Sequence, residues 1–347
     1  MTRLPDPATA MFAEAAEAPE AVARLLATNG ELLAELGDTL RALAPRAVMT
    51  CARGSSDHAA TYLKHLVETR TGVLVTSVSP SVASVYRAAP VAEQALAIGL
   101  SQSGKSPDLL AAMRAAADAG ARTLALVNVA DSPLAQQSDA VLPLSAGPER
   151  SVAATKSFIA MLAGSAALVA VWTQDSALRG AIDALPERLE RAWECDWSAL
   201  VDALAEARGL YVIGRGPGFG VAQEAALKFK ETCGLHAEAF SAAEVRHGPM
   251  ALVGPDFPLL VFRQDDASAA GIDALVADAL GQGARVLVAS DGAVPRGATW
   301  LPLPLADATL VPIAAVQAFY RAANALSVLR GFDPDRPPHL RKVTETV

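Results

Sequence analysis

The stretch SQSGKSPD, from Ser101 to Asp108, concentrates groups that bind anions. It follows the apolar run ALAIGL and precedes the helical run LLAAMRAAADAG, which predicts a turn between a strand and a helix. The hydroxyls of Ser101, Ser103 and Ser106, the amide of Gln102, free backbone N–H groups and the helix dipole could together hold one phosphate. An ordinary Ser-rich N-cap is the alternative, but three serines and a glutamine exceed what one cap needs.

The same stretch also matches the Walker A pattern, in which Gly99 and four further residues precede Gly104, Lys105 and Ser106. In a P-loop the first glycine begins the loop, whereas Gly99 lies inside the predicted strand. A nucleotide site also leaves the internal repeat described below unexplained. We therefore favour a phosphate site of another kind over an NTPase.

A second candidate for chemistry is the helical run VAQEAALKFKETCG, where Glu224, Lys228 and Glu231 are spaced by four and three residues and share one face. An exposed salt-bridged stripe is the usual role of such residues. The surrounding positions are apolar, however, so the helix should be half-buried. A lysine placed between two glutamates can then tune one of them as a base.

A third candidate is the run HAEAFSAAEVRHGPM, which contains His236, Glu238, Glu244 and His247. Their spacing forms neither HExxH nor another compact ligand set, so we predict no metal site. His247 stands before Gly-Pro at a turn, where an imidazole is better placed for proton transfer than for closed coordination. A purely structural role for either histidine is the alternative.

These motifs belong to a chain that repeats itself. RAVMTCARGSS is echoed by RGLYVIGRGPG and GARTLALVN by GARVLVASD, so Gly54 corresponds to Gly216 and Gly120 to Gly283 with nearly constant spacing. Apolar runs alternate with helical segments in both halves, which indicates parallel sheets covered on both faces. We predict an α/β protein with two tandem doubly wound domains of the flavodoxin-like three-layer α/β/α type. The GRGPGFG turn is not GxGxxG, so a tight turn or a ligand contact remains open there but not a dinucleotide site.

We place the domain boundaries by composition. An amphipathic helical arm occupies residues 1–36, with one or two helices between Ala8 and Leu43. The first domain spans 37–190, the second 191–332 and a C-terminal tail 333–347, with a linker around Leu185 to Trp197.

Composition excludes several classes of protein. The 347 residues are 52% hydrophobic and carry a net charge of −8, which gives no field to attract nucleic acid. The three cysteines, Cys51, Cys195 and Cys233, show no CxxC spacing, which fits a reducing compartment. The longest apolar stretch, Phe158 to Trp172, is too short for a membrane span and predicts a buried helix. We expect a cytoplasmic protein with no signal peptide and no membrane partner.

Taken together, SQSGKS, SVAATKS, ALKFKE, HAEAF, EVRHGPMAL and HLRKVTETV resemble the isomerase half of glutamine–fructose-6-phosphate aminotransferase, over nearly the whole chain. The resemblance implies two sugar isomerase (SIS) domains, no cofactor and a homodimer. The glutaminase domain of that family is expected to be absent, because Thr2 follows Met1. This favours stand-alone relatives such as SIS-type glucosamine-6-phosphate deaminases.

By position, the resemblance implies several roles. Those expected to contact the sugar phosphate are Ser55, Ser101, Gln102, Ser103, Ser106 and Val152. Glu231 is implied to move a proton between C1 and C2, with Lys228 as its charged neighbour. His247, contributed by the partner subunit, is implied to open the sugar ring, and Lys342 to form a Schiff base. ARGSS stands where the family usually has CGTS, so the contacts of Arg53 are left open.

The expected reaction is the conversion of glucosamine-6-phosphate to fructose-6-phosphate and ammonia. Four alternatives remain: a deglycase acting on amino-acid adducts of fructose-6-phosphate, a galactosamine-6-phosphate deaminase, an ammonia-dependent synthase, and a non-catalytic sensor of amino-sugar phosphates. The missing basic or helix-turn-helix segment disfavours a DNA-linked sensor.

Overall fold

A computed structural model describes residues 9–342 of the chain. The far ends of the predicted arm and tail, residues 1–8 and 343–347, lie outside the described residues. The strands are β1 (Ala47–Cys51), β2 (Leu74–Ser77), β3 (Ala95–Ser101), β4 (Arg122–Val127), β5 (Ala140–Pro143), β6 (Gly209–Gly214), β7 (His236–Ser241), β8 (Pro258–Phe262), β9 (Arg285–Ser290) and β10 (Thr299–Pro302).

The helices alternate with these strands. They are α1 (Ala10–Ala16), α2 (Ala18–Thr28), α3 (Gly30–Leu43), α4 (Ser55–Thr71), α5 (Ser81–Ser84), α6 (Pro107–Asp118), α7 (Pro133–Gln137), α8 (Lys156–Trp172), α9 (Ser176–Asp183), α10 (Leu185–Trp193), α11 (Ser198–Leu204), α12 (Gly218–Cys233), α13 (Ala269–Gly281) and α14 (Val311–Leu329). Two short 3₁₀ helices, Glu244–Arg246 and Pro249–Leu252, follow β7.

Two all-parallel, five-stranded sheets form the core of the fold, with orders β2-β1-β3-β4-β5 and β10-β9-β8-β6-β7. Read from its other edge, the second sheet has the same order as the first, with β6 to β10 in the places of β1 to β5. This is the flavodoxin-like order, so the predicted pair of doubly wound domains is confirmed.

The backbone shows why the repeated glycines are there. Gly54 and Gly216 both follow the first strand of their sheet, with φ of 54° and 58°, and Gly120 and Gly283 have φ of 93° and 84°. A residue with a Cβ is strained at such angles, so the same turn in each half requires glycine. The sequence echo therefore reflects a repeated backbone conformation.

The chain divides into two compact units. Among the described residues, the first unit contains 20–149, 156–183 and 341–342, and therefore the sheet of β1 to β5. The second unit contains residues 9–19, 150–155 and 184–340, and therefore the sheet of β6 to β10. The predicted boundaries at 36, 190 and 332 stay predictions.

The apolar run at 158–172 forms a buried helix, as predicted. All but one residue of α8 are buried, in the first unit, where it packs against α3 and α4. Within residues 9–342, no helix is long and apolar enough to cross a membrane.

Two segments differ from the sequence prediction. The arm contains three helices rather than one or two, because the chain is interrupted at Glu17 and again at Asn29, each followed by a new helix start. The segment predicted as a linker is largely the helix α10, with Leu185, Leu189 and Ala192 buried. Their spacing of four and three residues gives one apolar face, which packs against α14.

Candidate functional site

The SQSGKSPD stretch lies where this kind of sheet binds ligands. It connects β3 to α6, and the turn at Arg53 and Gly54 connects the neighbouring strand β1 to α4. From these two strands the chain runs to opposite sides of the sheet, β1 to β2 and β3 to β4, so their carboxyl ends form the topological switch point. Gly99 lies in the middle of β3, paired with Cys51 and Ala125, and so cannot begin a P-loop.

A cavity of about 380 Å³ opens at this point in the first unit. Its walls come from the two connections and the C-terminal tail, and they comprise Arg53, Gly54, Ser56, Leu100, Ser101, Gln102, Ser103, Ser106, Leu109 and Lys342. The four predicted phosphate contacts of the SQSGKS loop and Lys342 are thus brought together. Ser55 is not among the lining residues, whereas its neighbour Ser56 is.

Gly104 fixes the shape of the loop. Its φ is 63°, its N–H donates to Ser101 Oγ at 2.9 Å, and a Cβ built on it would stand 2.2 Å from Ser132 Oγ. Ser106 is the N-cap of α6, yet no capping hydrogen bond from its side chain is found among the described residues. Ser106 is therefore not accounted for by helix capping, which favours the anion-binding interpretation over the plain N-cap.

Lys342 is held at the cavity by a carboxylate that the sequence did not single out. Its Nζ lies 3.1 Å from Oε2 of Glu149, whose side chain is fully buried. Glu149 also accepts hydrogen bonds from the backbone N–H of Ser157 at 3.1 Å and from its hydroxyl at 2.7 Å. A buried carboxylate with several donors is fixed in place, so it fixes the ammonium of the tail in turn.

The thiol at the end of β1 is not a nucleophile. Burial, followed by the carboxylate of Asp108, raises the pKa of Cys51 to about 12. The reactive form of a cysteine is the thiolate, so Cys51 stays protonated and inert at neutral pH. All three cysteines are free thiols.

The second group of predicted residues lies on α12, in the second unit. The side chains of Lys228 and Glu224 are completely buried, while that of Glu231 is 19% exposed. Lys228 Nζ lies 2.5 Å from Oε2 of Glu231 and 3.2 Å from Oε1 of Glu224. Tyr320, on α14, donates its hydroxyl to the same Oε1 of Glu224 at 2.9 Å.

This arrangement keeps Lys228 charged. Burial by itself lowers the pKa of Lys228, but the carboxylates of Glu224 and Glu231 outweigh it and raise the pKa above its ordinary value. Lys228 is therefore an ammonium at neutral pH and acts as a hydrogen-bond donor, not as a nucleophile. Lys228 and Glu224 are completely buried and bound to each other. The partly exposed carboxylate of Glu231 is therefore the group of this cluster that can contact a ligand.

The other predicted residues occupy separate positions. Val152 lies in the turn at 150–155 of the second unit, where Glu14 of α1 accepts hydrogen bonds from the backbone N–H groups of Arg150 and Ser151 at 2.5 and 3.1 Å. His247 is exposed between the two 3₁₀ helices. No cluster of three or more His, Cys, Asp or Glu side chains suited to a metal occurs in the described part of the chain.

The second sheet does not offer an equivalent phosphate cradle. After β8, which holds the place of β3, the side chain of Gln264 is buried and donates to the carbonyl of Arg215, to Asp266 and to Ser268. Asp266 in turn accepts from the backbone N–H of Ser268 at 2.7 Å, just before α13 begins. A carboxylate of the chain itself fills this position, and its negative charge would repel a phosphate.

Sequence reasoning missed the supporting residues Glu149, Tyr320, Asp108 and Ser56. Glu149 stands two residues before the SVAATKS motif, which is the only local signal it offered. Tyr320 is far along the chain from Glu224, and their contact follows only from the packing of α14 on α12.

Replacing Gly104 by Ala should disrupt the cavity. The added Cβ meets Ser132 in a backbone conformation that disfavours L-residues, so we expect a loss of at least about 1 kcal/mol in the free energy of unfolding and clearly weaker binding of inorganic phosphate. Urea unfolding and calorimetric titration measure the two effects. Gly180→Ala is the matched control, because no atom lies within 4 Å of the built Cβ at Gly180, in α9. Full stability and phosphate affinity in Gly104→Ala would refute this account of the loop.

Replacing Tyr320 by Phe should destabilise the second unit. The hydroxyl is one of the donors to a fully buried carboxylate, and the loss of a hydrogen bond to a charged group costs about 1.5–3 kcal/mol. Tyr211→Phe is the control, since that buried ring makes edge contacts with Phe240 and Phe257, which the change preserves. Equal midpoints of urea unfolding for the two variants would contradict the role given to Tyr320.

Comparison with known proteins fits this geometry. The model of the SIS domain matches residues 44–171 and 203–293. The glutamine–fructose-6-phosphate aminotransferase of Halobacterium salinarum is 36% identical over 333 residues, which cover 91% of this chain and 54% of that protein. The chain thus spans about half the length of the curated relatives it matches.

Solved structures agree. A candidate phosphosugar isomerase from Silicibacter pomeroyi is 42% identical, with a TM-score of 0.89, over 94% of this chain and all of the other. The C-terminal domain of glucosamine-fructose-6-phosphate aminotransferase from Francisella tularensis is 22% identical, with a TM-score of 0.85, over 95% of this chain and 99% of the other. The resemblance to the isomerase half of the aminotransferase is confirmed.

Proposed function

The chain belongs to the SIS-domain family, and from that premise we propose that it is an amino-sugar phosphate isomerase-deaminase of the cytoplasm. The substrate is glucosamine-6-phosphate, and the products are fructose-6-phosphate and ammonia. The observation that carries this proposal is the Lys228–Glu231 pair, in which a buried ammonium holds a partly exposed carboxylate. A group that moves protons between adjacent carbons needs that combination of fixed position and access.

The phosphate of the substrate is assigned to the cavity of the first unit. Hydroxyl and amide groups of Ser101, Gln102, Ser103 and Ser106 line it, and the N-terminus of α6 adds N–H donors and its positive dipole end. The contacts implied by the family resemblance also include Ser55 and Val152. Ser56 joins this set as a donor because it lines the cavity.

Glu231 is the base in this mechanism. It takes the proton from C2 of the open-chain 2-amino aldose, so that the C2–H electron pair forms the C1=C2 bond of an enolamine and the C1 oxygen takes up a proton. It then returns a proton to C1, while the nitrogen loses a proton and the C2=N bond of the 2-imino sugar forms. Lys228 is the charged neighbour of Glu231, and this fully buried ammonium holds the Glu231 carboxylate in position through their ion pair. General acid–base catalysis by a positioned carboxylate contributes about 10²- to 10⁴-fold in rate.

We assign His247 to the step before the proton transfer and Lys342 to the step after it. His247, exposed at the turn after β7, opens the sugar ring, and we assign it to the site of the partner subunit in a homodimer. Lys342 lies at the cavity beside Glu149; once its ammonium has passed a proton to that carboxylate, the free amine can add to C2 of the open-chain keto sugar and form a Schiff base with loss of one water, which hydrolysis restores. The 2-imino sugar produced by the proton transfer takes up one water, releases ammonia and leaves fructose-6-phosphate.

The direct assay mixes the purified protein with glucosamine-6-phosphate and measures ammonia and fructose-6-phosphate together. We expect equal amounts of both products. Galactosamine-6-phosphate and an amino-acid adduct of fructose-6-phosphate are run in parallel, and turnover of only one of these would reassign the substrate. Formation of glucosamine-6-phosphate from fructose-6-phosphate and ammonium would identify a synthase. Tight binding without turnover of any of them would indicate a sensor.

Glu231→Gln should slow turnover strongly, because an amide cannot accept the C2 proton. We expect kcat to fall by about 10²- to 10⁴-fold, with the Kd for fructose-6-phosphate largely unchanged. Glu190→Gln, at an exposed position of α10, is the control for loss of one negative charge. Undiminished kcat in Glu231→Gln would remove Glu231 from the mechanism.

A further inference from the structure

Arg53 is a cation at the cavity whose role the family resemblance left open. Its Nε and Nη2 both donate to Oδ2 of Asp108, at 3.0 and 2.7 Å. Asp108 is 1% exposed, whereas the side chain of Arg53 is 51% exposed. In this pair the carboxylate of Asp108 is buried, whereas the guanidinium of Arg53 is accessible to a ligand.

Asp108 lies close to the position expected for the phosphate. Asp108 is the second residue of α6, and its Oδ1 accepts the backbone N–H of Leu109 at 2.8 Å. A carboxylate suits the positive end of a helix dipole. Alone, however, it would repel a phosphate bound at the same helix end, so its charge must be balanced before the loop can hold an anion.

The guanidinium has donors beyond those that Asp108 uses. An arginine carries five N–H groups in a planar fork, and its geometry suits phosphate oxygens. Two of the five go to a single oxygen of Asp108. Arg53 lines the same cavity as Ser101, Ser106 and Lys342, so its remaining donors are available to a ligand there.

We propose that Arg53, oriented by Asp108, is a phosphate-binding and specificity-determining residue of this cavity. It selects a phosphate monoester in its dianionic form, and it disfavours ligands of the same shape with less charge, such as sugar sulfates. This inference rests on the proposed function only in that the ligand is a sugar phosphate. It concerns recognition of the phosphate group, not the proton transfer between C1 and C2.

A purely structural role for Arg53 makes a different prediction. If Arg53 only neutralised Asp108, removing both charges together would leave the ligand affinity as it was. If Arg53 contacts the phosphate, the loss persists when Asp108 is neutral. The double variant Arg53→Met with Asp108→Asn separates the two roles, and because it leaves no unpaired buried charge, it also protects the fold.

The experiment measures Kd by calorimetry for glucose-6-phosphate and glucose-6-sulfate, with the wild-type chain, Arg53→Met and the double variant. Because hydrogen bonds to charged groups are worth about 1.5–3 kcal/mol, we expect both variants to bind glucose-6-phosphate about ten- to a hundredfold more weakly. The preference for phosphate over sulfate should shrink in both. Arg114→Met, an exposed charge on α6, is the control for net charge and should bind as wild type.

Each result has one meaning. Wild-type affinity in the double variant overturns the proposal, and so does an equal loss for phosphate and sulfate, since a charge-selective contact must weaken the phosphate more. Failure of the wild-type chain to bind any sugar phosphate overturns both this proposal and the proposed function. A catalytic failure with intact, Arg53-dependent binding leaves this inference standing and withdraws only the reaction.

Discussion

Buried carboxylates that hold cations are the interaction on which the rest of the candidate site depends. In each of three places a carboxylate with almost no exposure fixes a positively charged side chain, and the pairs are Asp108 with Arg53, Glu149 with Lys342, and Glu224 with Lys228. A flexible lysine or arginine loses rotamer freedom when it binds a ligand. When the carboxylate already orders that side chain in the unbound protein, the entropy is lost on folding and does not weaken ligand binding.

The same pairing explains how the fold tolerates these buried charges. A lone buried ion is strongly destabilising, and a pair is tolerated only with good geometry and further hydrogen bonds. Glu149 has the backbone N–H and hydroxyl of Ser157, Glu224 has Tyr320, and Asp108 has the N–H of Leu109. These supporting groups come from helices α6, α8 and α14, so the elements that build the core also position the charges.

The two units share a topology but have diverged at the place where a ligand would bind. In the first sheet, the loop after β3 is rich in hydroxyl groups, and the cationic side chains of Arg53 and Lys342 line the same cavity. In the second sheet, Gln264 and Asp266 close the equivalent loop upon itself. The second unit instead carries the Lys228 cluster, on the helix after its first strand. The two units thus share one topology, and local side chains give each a different chemistry.

Local sequence patterns were enough to predict the two parallel sheets, the turn between β3 and α6 in SQSGKSPD, and the shared face of Glu224, Lys228 and Glu231. These depend on local periodicity, on turns that require glycine, and on helical spacing, all of which neighbouring residues display. Three features became visible only in the folded chain: residues 185–193 form a packed helix, Ser56 rather than Ser55 lines the cavity, and Glu149 and Tyr320 support the charged groups. Those contacts join residues far apart in the chain, and no local pattern encodes a partner that only packing brings near.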